Sequence, residues 1–82
     1  MITVRVKLFA VVRDIAGTGE ERVHLPDDAT ATDVLEALAF RYPMLDEWKP
    51  YLRIAINRTY ASPDDRVRDG DEVAVIPPVS GG

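Results

Sequence analysis

The chain has 82 residues, 46% of them hydrophobic and 29% charged, with a formal net charge of −4. That is enough for one small domain, too apolar for a disordered chain, short of Lys and Arg for a nucleic-acid binder, and without an apolar run long enough to cross a membrane. There is no cysteine and one histidine, His24, so disulfides, thiolate metal sites, cysteine nucleophiles and histidine-based triads drop out together.

Ile2, Val4, Val6 and Leu8 alternate with Thr3, Arg5, Lys7 and Phe9. This period of two predicts a strand with one buried face. The same stretch lacks the pattern of a signal peptide, which makes the cytoplasm the expected location. From Ala10 to Ala16 the alternation stops, and Val11, Val12 and Ile15 fit one short helical turn that Gly17 can end. Glu21 to Leu25 reads as a second strand closed by Pro26-Asp27-Asp28. The two strands are expected to pair antiparallel across the short helix.

Thr30 offers an N-cap hydroxyl with Asp33 three residues on. Val34, Leu35, Leu38, Ala39 and Tyr42 then make one apolar stripe at helical spacing, and Pro43 stops the helix at about Tyr42. Met44 to Pro50 reads as a connection with room for one irregular turn. Leu52, Ile54 and Ile56 predict a third strand. Asn57-Arg58 forms a tight turn into a short strand at Thr59–Ala61, and Pro63-Asp64-Asp65 forms another turn. Asp69-Gly70-Asp71 turns the chain into a last strand, Glu72–Ile76.

This order is ββ-α-ββ plus a short strand, with one main helix on one face of a mixed sheet: an α+β class domain over residues 1–76. It matches the ubiquitin-like β-grasp architecture. The parallel central pairing of first and last strands in that architecture comes from fold analogy, not from the pattern.

Residues 77–82 read as a flexible, extended C-terminal Gly-Gly tail. Pro77-Pro78 cannot donate ladder hydrogen bonds, so the strand must end there, and the pair stiffens the exit. Six extended residues span about 20 Å, against a domain radius of gyration of about 12 Å, so the tail can enter a deep site on another protein. Two terminal glycines arise by chance in roughly 0.5% of chains; they gain weight from the strand order and Pro-Pro before them. The reactive group would be the α-carboxylate of Gly82. A carboxylate is a poor electrophile and needs activation, which ATP supplies by forming an acyl-adenylate. Glycine at 81 and 82 lets the end thread a narrow channel that a Cβ would obstruct. A sulfur donor can then displace AMP and leave a thiocarboxylate, so sulfur is carried without any cysteine.

The blocks Val6-Lys7-Leu8-Phe9-Ala10, Val12-Arg13-Asp14-Ile15-Ala16-Gly17-Thr18, Ile54-Ala55-Ile56-Asn57 and, most specifically, Asp69-Gly70-Asp71-Glu72-Val73 through Pro77-Pro78-Val79-Ser80-Gly81-Gly82 resemble the molybdopterin synthase small-subunit (MoaD) family. The resemblance covers nearly the whole chain. It implies an E1-like adenylyltransferase (MoeB-type) that uses ATP on Gly82, a sulfur donor protein, and a large catalytic subunit (MoaE-type) in a heterotetramer. The tail Pro77, Pro78, Val79, Ser80, Gly81 would insert into that subunit. There the thiocarboxylate would give sulfur to cyclic pyranopterin monophosphate on the way to the molybdenum cofactor. The chain itself would be a non-catalytic subunit with no permanently bound cofactor, no metal site, and no nucleic-acid or membrane partner. The alternatives are a ubiquitin-like modifier joined through Gly82 to lysines, a sulfur carrier for another pathway such as thiamin thiazole synthesis, and a plain interaction module.

His24 is expected on the surface, and Trp48 and Tyr51 are expected to pack. Asp27-Asp28 and Asp64-Asp65 are turn formers before they are metal ligands. Asp69-Gly70-Asp71 is first a turn, with a second reading as a contact for the activating enzyme. Phe9 lies on the face opposite Val4 and Val6, and divides evenly between a partner surface and packing beneath the long helix.

Overall fold

A computed structural model describes residues 1–78; the four residues 79–82 lie outside the described set, and so does the reading of their part of the tail as flexible. The strands are β1 (Ile2–Leu8), β2 (Glu20–Leu25), β3 (Arg53–Ile56), β4 (Thr59–Tyr60) and β5 (Glu72–Ile76); the helices are α1 (Ala10–Ala16) and α2 (Ala31–Arg41). They form one mixed sheet in the order β2-β1-β5-β3-β4. β1 pairs antiparallel with β2 and parallel with β5, and β5 pairs antiparallel with β3. This is the expected β-grasp arrangement, with the first and last strands side by side at the centre.

The alternation in β1 does what its period demands: Ile2, Val4, Val6 and Leu8 are buried, and Arg5 is exposed. α2 lies over that inner face. Its start carries the full capping box, in which Asp33 N–H donates to Thr30 Oγ1 at 3.4 Å and Thr30 N–H donates to Asp33 Oδ2 at 2.9 Å. Val34, Leu38 and Ala39 are buried as the stripe requires, joined by Ala31, while Leu35 and Tyr42 pack at the margin. Gly17 adopts φ +77° and closes α1 through its N–H to the Arg13 carbonyl at 2.8 Å, the left-handed cap for which glycine is suited.

Three local readings change. Residues 43–51 are not an open connection: Pro43–Glu47 and Lys49–Tyr51 form two 3-10 helices. Pro43 stops α2 and starts the next turn, where its missing N–H costs nothing, and Leu45 goes into the core at 1% exposure. Tyr51 does not pack; it is 63% exposed, whereas Trp48 is half-buried. The short strand is Thr59–Tyr60, with Ala61 just beyond it, although Ala61 N–H still bonds the Ile54 carbonyl at 2.9 Å.

The segment between β4 and β5 holds the start of α2. Ala31 N–H donates to the Asp65 carbonyl at 2.9 Å and Thr32 N–H to the Pro63 carbonyl at 3.1 Å, so two first-turn amides find partners. Val67 N–H donates to the Ala29 carbonyl at 3.0 Å, and its side chain enters the core. Both positions of the Asn57-Arg58 turn have positive φ, +50° and +70°, which is the geometry of a tight hairpin turn. The Asn57 side chain ties that turn to β5, donating to Asp71 Oδ1 and accepting from Glu72 N–H, each at 3.0 Å.

At the other end of α2, Tyr42 Oη donates to Glu21 Oε1 of β2 at 2.5 Å, while Glu21 Oε2 is buried and has no hydrogen-bond partner among the described residues. The Arg41 Nε is 3.5 Å from that oxygen and contributes charge without a hydrogen bond. The bond to Glu21, with burial second, pushes the Tyr42 phenol above its ordinary value. The contribution is therefore complete below the ordinary tyrosine range near pH ~10 and is lost as pH rises through the raised value. Tyr42→Phe leaves the half-buried Glu21 carboxylate with neither oxygen hydrogen-bonded and only the Arg41 charge beside it. It is expected to cost about 1–3 kcal/mol, measured by urea unfolding at neutral pH, and to remove the late-titrating phenol from an alkaline absorbance titration.

Candidate functional site at the root of the tail

The parallel pairing of β1 with β5 sets Leu8 opposite Val75, and the antiparallel pairing of β5 with β3 sets Arg53 opposite Ile76. The end of β1, the end of β5 and the start of β3 therefore meet at one edge of the domain. The chain leaves there through Pro77 and Pro78, neither of which is in a strand. Pro77 is the first residue that cannot supply a ladder N–H, so the end of β5 is fixed by covalent structure.

Phe9 follows β1 directly and stands at this same edge. Its φ of −125° and ψ of 152° keep the backbone extended as the N-cap of α1. At 47% exposure it is not packed beneath α2, so that half of its reading falls. On the other side of the exit, Tyr51, Leu52, Arg53, Tyr60, Ile76 and Pro77 line part of a shallow groove of about 560 Å³. The Arg53 guanidinium sits 5.8 Å from the centre of the Tyr60 ring, a cation–π distance. Tyr51 and Tyr60, both more than half exposed, give this groove an aromatic rim. The sequence contained both tyrosines, but no local pattern marks them as neighbours.

The other singled-out residues lie elsewhere. His24 is exposed on the edge strand β2, its Nδ1 2.8 Å from Thr3 Oγ1. Asp27 pairs with the amino group of Met1 at 2.8 Å, and Asp65 Oδ2 accepts from Ser62 N–H at 2.9 Å, closing its own turn. Asp69-Gly70-Asp71 binds the start of β1: Thr3 N–H donates to Asp69 Oδ1, and Gly70 N–H donates to the Thr3 carbonyl, each at 2.8 Å. Because β1 and β5 are parallel, this turn sits at the end of the sheet opposite the tail. Among the described residues no group of three His, Asp or Glu side chains is placed to hold a metal ion, and no helix is long and apolar enough to cross a membrane.

The shifted ionisable groups each answer to a local partner. Met1 is raised by Asp27, Glu20 is lowered by Lys7, and Lys49 is raised by Glu36 and then Asp46. None of them lines the groove at the tail root. The chemistry assigned to Gly81 and Gly82, and the guiding role of Val79 and Ser80, fall outside the described residues.

Known proteins share this construction. A Chlamydomonas reinhardtii protein named molybdopterin synthase sulfur carrier subunit is 40% identical over 81 residues, spanning 96% of this chain and 98% of its own. The solution structure of small archaeal modifier protein 1 from Methanosarcina acetivorans matches with a TM-score of 0.81 at 33% identity, over 100% of this chain and 98% of that one. A chain from the complex of subunits 1 and 2 of molybdopterin-converting factor from Helicobacter pylori shares the fold, with a TM-score of 0.67 at 24% identity over 99% and 100% of the two chains. The model of the ThiS family matches residues 6–82, from the first strand through both terminal glycines; the chain belongs to the ThiS family.

Proposed function

We propose that this chain is the sulfur-carrier subunit of a molybdopterin synthase and acts through the α-carboxylate of Gly82. The observation that carries the reading is a relative of that name aligned over nearly the full length of both chains. An E1-like partner would transfer AMP from ATP to the Gly82 carboxylate and release pyrophosphate. Hydrosulfide-level sulfur from a donor would then attack the carbonyl carbon: the C–S bond forms, the C–O bond to AMP breaks, and AMP leaves with that electron pair, giving the thiocarboxylate. The chain is the non-catalytic partner, and a large subunit would hold cyclic pyranopterin monophosphate and receive the tail, in the cytoplasm. The solved Helicobacter pylori complex of subunits 1 and 2 supports a large-subunit partner.

The geometry supports a docking role for the root of the tail. Residues 1–76 would stay outside the partner as a β-grasp body, while 77–82 enter it. Phe9 and the aromatic groove flank the exit, so a partner that grips the tail meets apolar surface on both sides. Phe9→Ala is expected to weaken binding to the large subunit by about 1–3 kcal/mol. The folded stability should change by less than about 1 kcal/mol, since the ring is half-exposed. Titration calorimetry and thermal melts read the two effects separately.

The direct test is to incubate the chain with an E1-like enzyme, ATP and a sulfur donor and record its intact mass. The expected product has gained the difference between sulfur and oxygen. If neither an adenylated nor a sulfur-bearing form appears with the cognate enzyme, the reading fails. Supplying the large subunit and the pterin precursor identifies the pathway against thiamin thiazole synthesis. The likeness to a small archaeal modifier protein supports a second reading, a modifier joined to target lysines through Gly82, which adducts of higher mass in cells would reveal.

A further inference from the structure

An activated carboxyl group reacts with any accessible uncharged amine, including amines on other copies of the same protein. Of the ten basic residues only Lys7 and Lys49 are lysine; the other eight are arginine. A guanidinium keeps its proton at any physiological pH and is no acyl acceptor. The two lysines are the side-chain amines to be considered, and each is held against carboxylates.

Lys7 stands directly opposite Glu20 in the β1–β2 pairing, and its Nζ is 2.5 Å from Glu20 Oε1. Lys49 starts the second 3-10 helix, and its Nζ lies 3.0 Å from Glu36 Oε1 on α2 and 3.2 Å from Asp46 Oδ1 in the first 3-10 helix. Its own side chain is only 28% exposed. The α-amino group of Met1 is placed likewise, 2.8 Å from Asp27 Oδ1.

We propose that Glu20, Glu36 and Asp46 guard Lys7 and Lys49 against acylation by the activated carboxyl ends of other copies, so that acyl transfer is confined to nucleophiles on other proteins. The guard works in two ways. Aminolysis needs the nitrogen lone pair: the amine attacks the carbonyl carbon, a C–N bond forms, the C–O bond to AMP breaks, AMP leaves with that electron pair, and the nitrogen loses its proton to solvent. At Lys49 the carboxylates of Glu36 and Asp46 raise the amine above its ordinary value and so lower the share that carries a free lone pair; at Lys7 the guard rests on the direct contact with Glu20. The carboxylates also set negative charge where the phosphate of an acyl-adenylate must approach, and the Lys7 contact holds the Glu20 carboxyl below the usual range. Such exposed pairs add little to folding stability; the effect claimed is on reactivity.

The need for a guard rests on the proposed activation of Gly82, but the reactivity of the amines can be measured without it. The chain is labelled with trace acetyl adenylate beside a free lysine-containing peptide, and acetylation at each site is counted by peptide mass spectrometry. Lys7 and Lys49 are expected to label more slowly than the peptide. In E20Q and in the double variant E36Q/D46N the respective lysine should label about threefold faster or more, the size of effect an exposed ion pair supplies. Melting temperatures check that the variants remain folded. Lysines that label like the free peptide in the parent chain, or unchanged rates in folded variants, overturn the proposal. With the activating enzyme and ATP, the triple variant should form copy-to-copy adducts that the parent does not. An activated variant that forms none also overturns it. Failure of either chain to be activated counts against the proposed function instead, and the labelling arm alone then decides whether the amines are guarded.

Discussion

Deleting Gly82 is expected to abolish formation of the adenylated and sulfur-bearing chain while leaving the thermal midpoint close to that of the parent. The packed body explains why the two effects separate. The buried cluster closes with Val75, Pro78 is already exposed, and a glycine carries no side chain to bury. Removing it should change stability by no more than about 0.5 kcal/mol. On the proposed chemistry the reaction would lose its electrophile, because the new terminal carboxylate would belong to residue 81 and fall one residue, about 3.5 Å, short of the reacting position. Gly81→Ala keeps the length but adds a Cβ and narrows the allowed φ/ψ; it is expected to slow transfer with no loss of fold. Intact-mass assays and thermal melts on the same samples measure both quantities. A large fall in melting temperature on deleting Gly82 would show the tail to be structural.

Leu45→Ala is expected to have the opposite signature, a severe loss of stability in a chain whose tail is untouched. Leu45 is among the largest fully buried side chains and comes from a five-residue 3-10 helix. A buried Leu→Ala change costs about 2–5 kcal/mol through lost transfer energy and the cavity left behind. At roughly 4–8 °C per kcal/mol for a domain of this size, the melting temperature is expected to fall by about 8 °C or more. Met44, next in sequence but 70% exposed, supplies the control: Met44→Ala should shift stability by no more than about 0.5 kcal/mol. Equal effects at 44 and 45 would contradict the placement of this segment.

Periodicity made β1 and α2 legible because burial of one face imposes a repeat of two on a strand and of about 3.6 on a helix. Thr30 with Asp33 and Gly17 at φ +77° were readable for a related reason, since caps are chemistry between near neighbours. Leu45 and Val67 were not legible as core. Each is one apolar residue in an irregular segment, with no repeat around it, and is buried only because distant elements leave space for it. Tyr51 was misread as packed for the same reason: the second 3-10 helix points it outward, and a three-residue turn has too few positions to show a pattern.

The sequence by itself determined the five strands and the two α-helices, though not the two 3-10 helices, and that the last strand must end at Pro77. Those follow from side-chain volume, ring closure and hydrogen-bond capacity along a few residues. Only the tertiary structure decided the order β2-β1-β5-β3-β4. Parallel pairing of β1 with β5 joins residues more than sixty positions apart, and the local repeat in either strand is the same whichever neighbour it takes. That pairing sets Phe9 at the tail exit and Asp69-Gly70-Asp71 at the far end of the sheet. The antiparallel pairing of β3 with β5 brings the tyrosine-rimmed groove to the root of the tail. The separation is physical: periodicity records how much of each face is buried, whereas strand order depends on which faces bury one another.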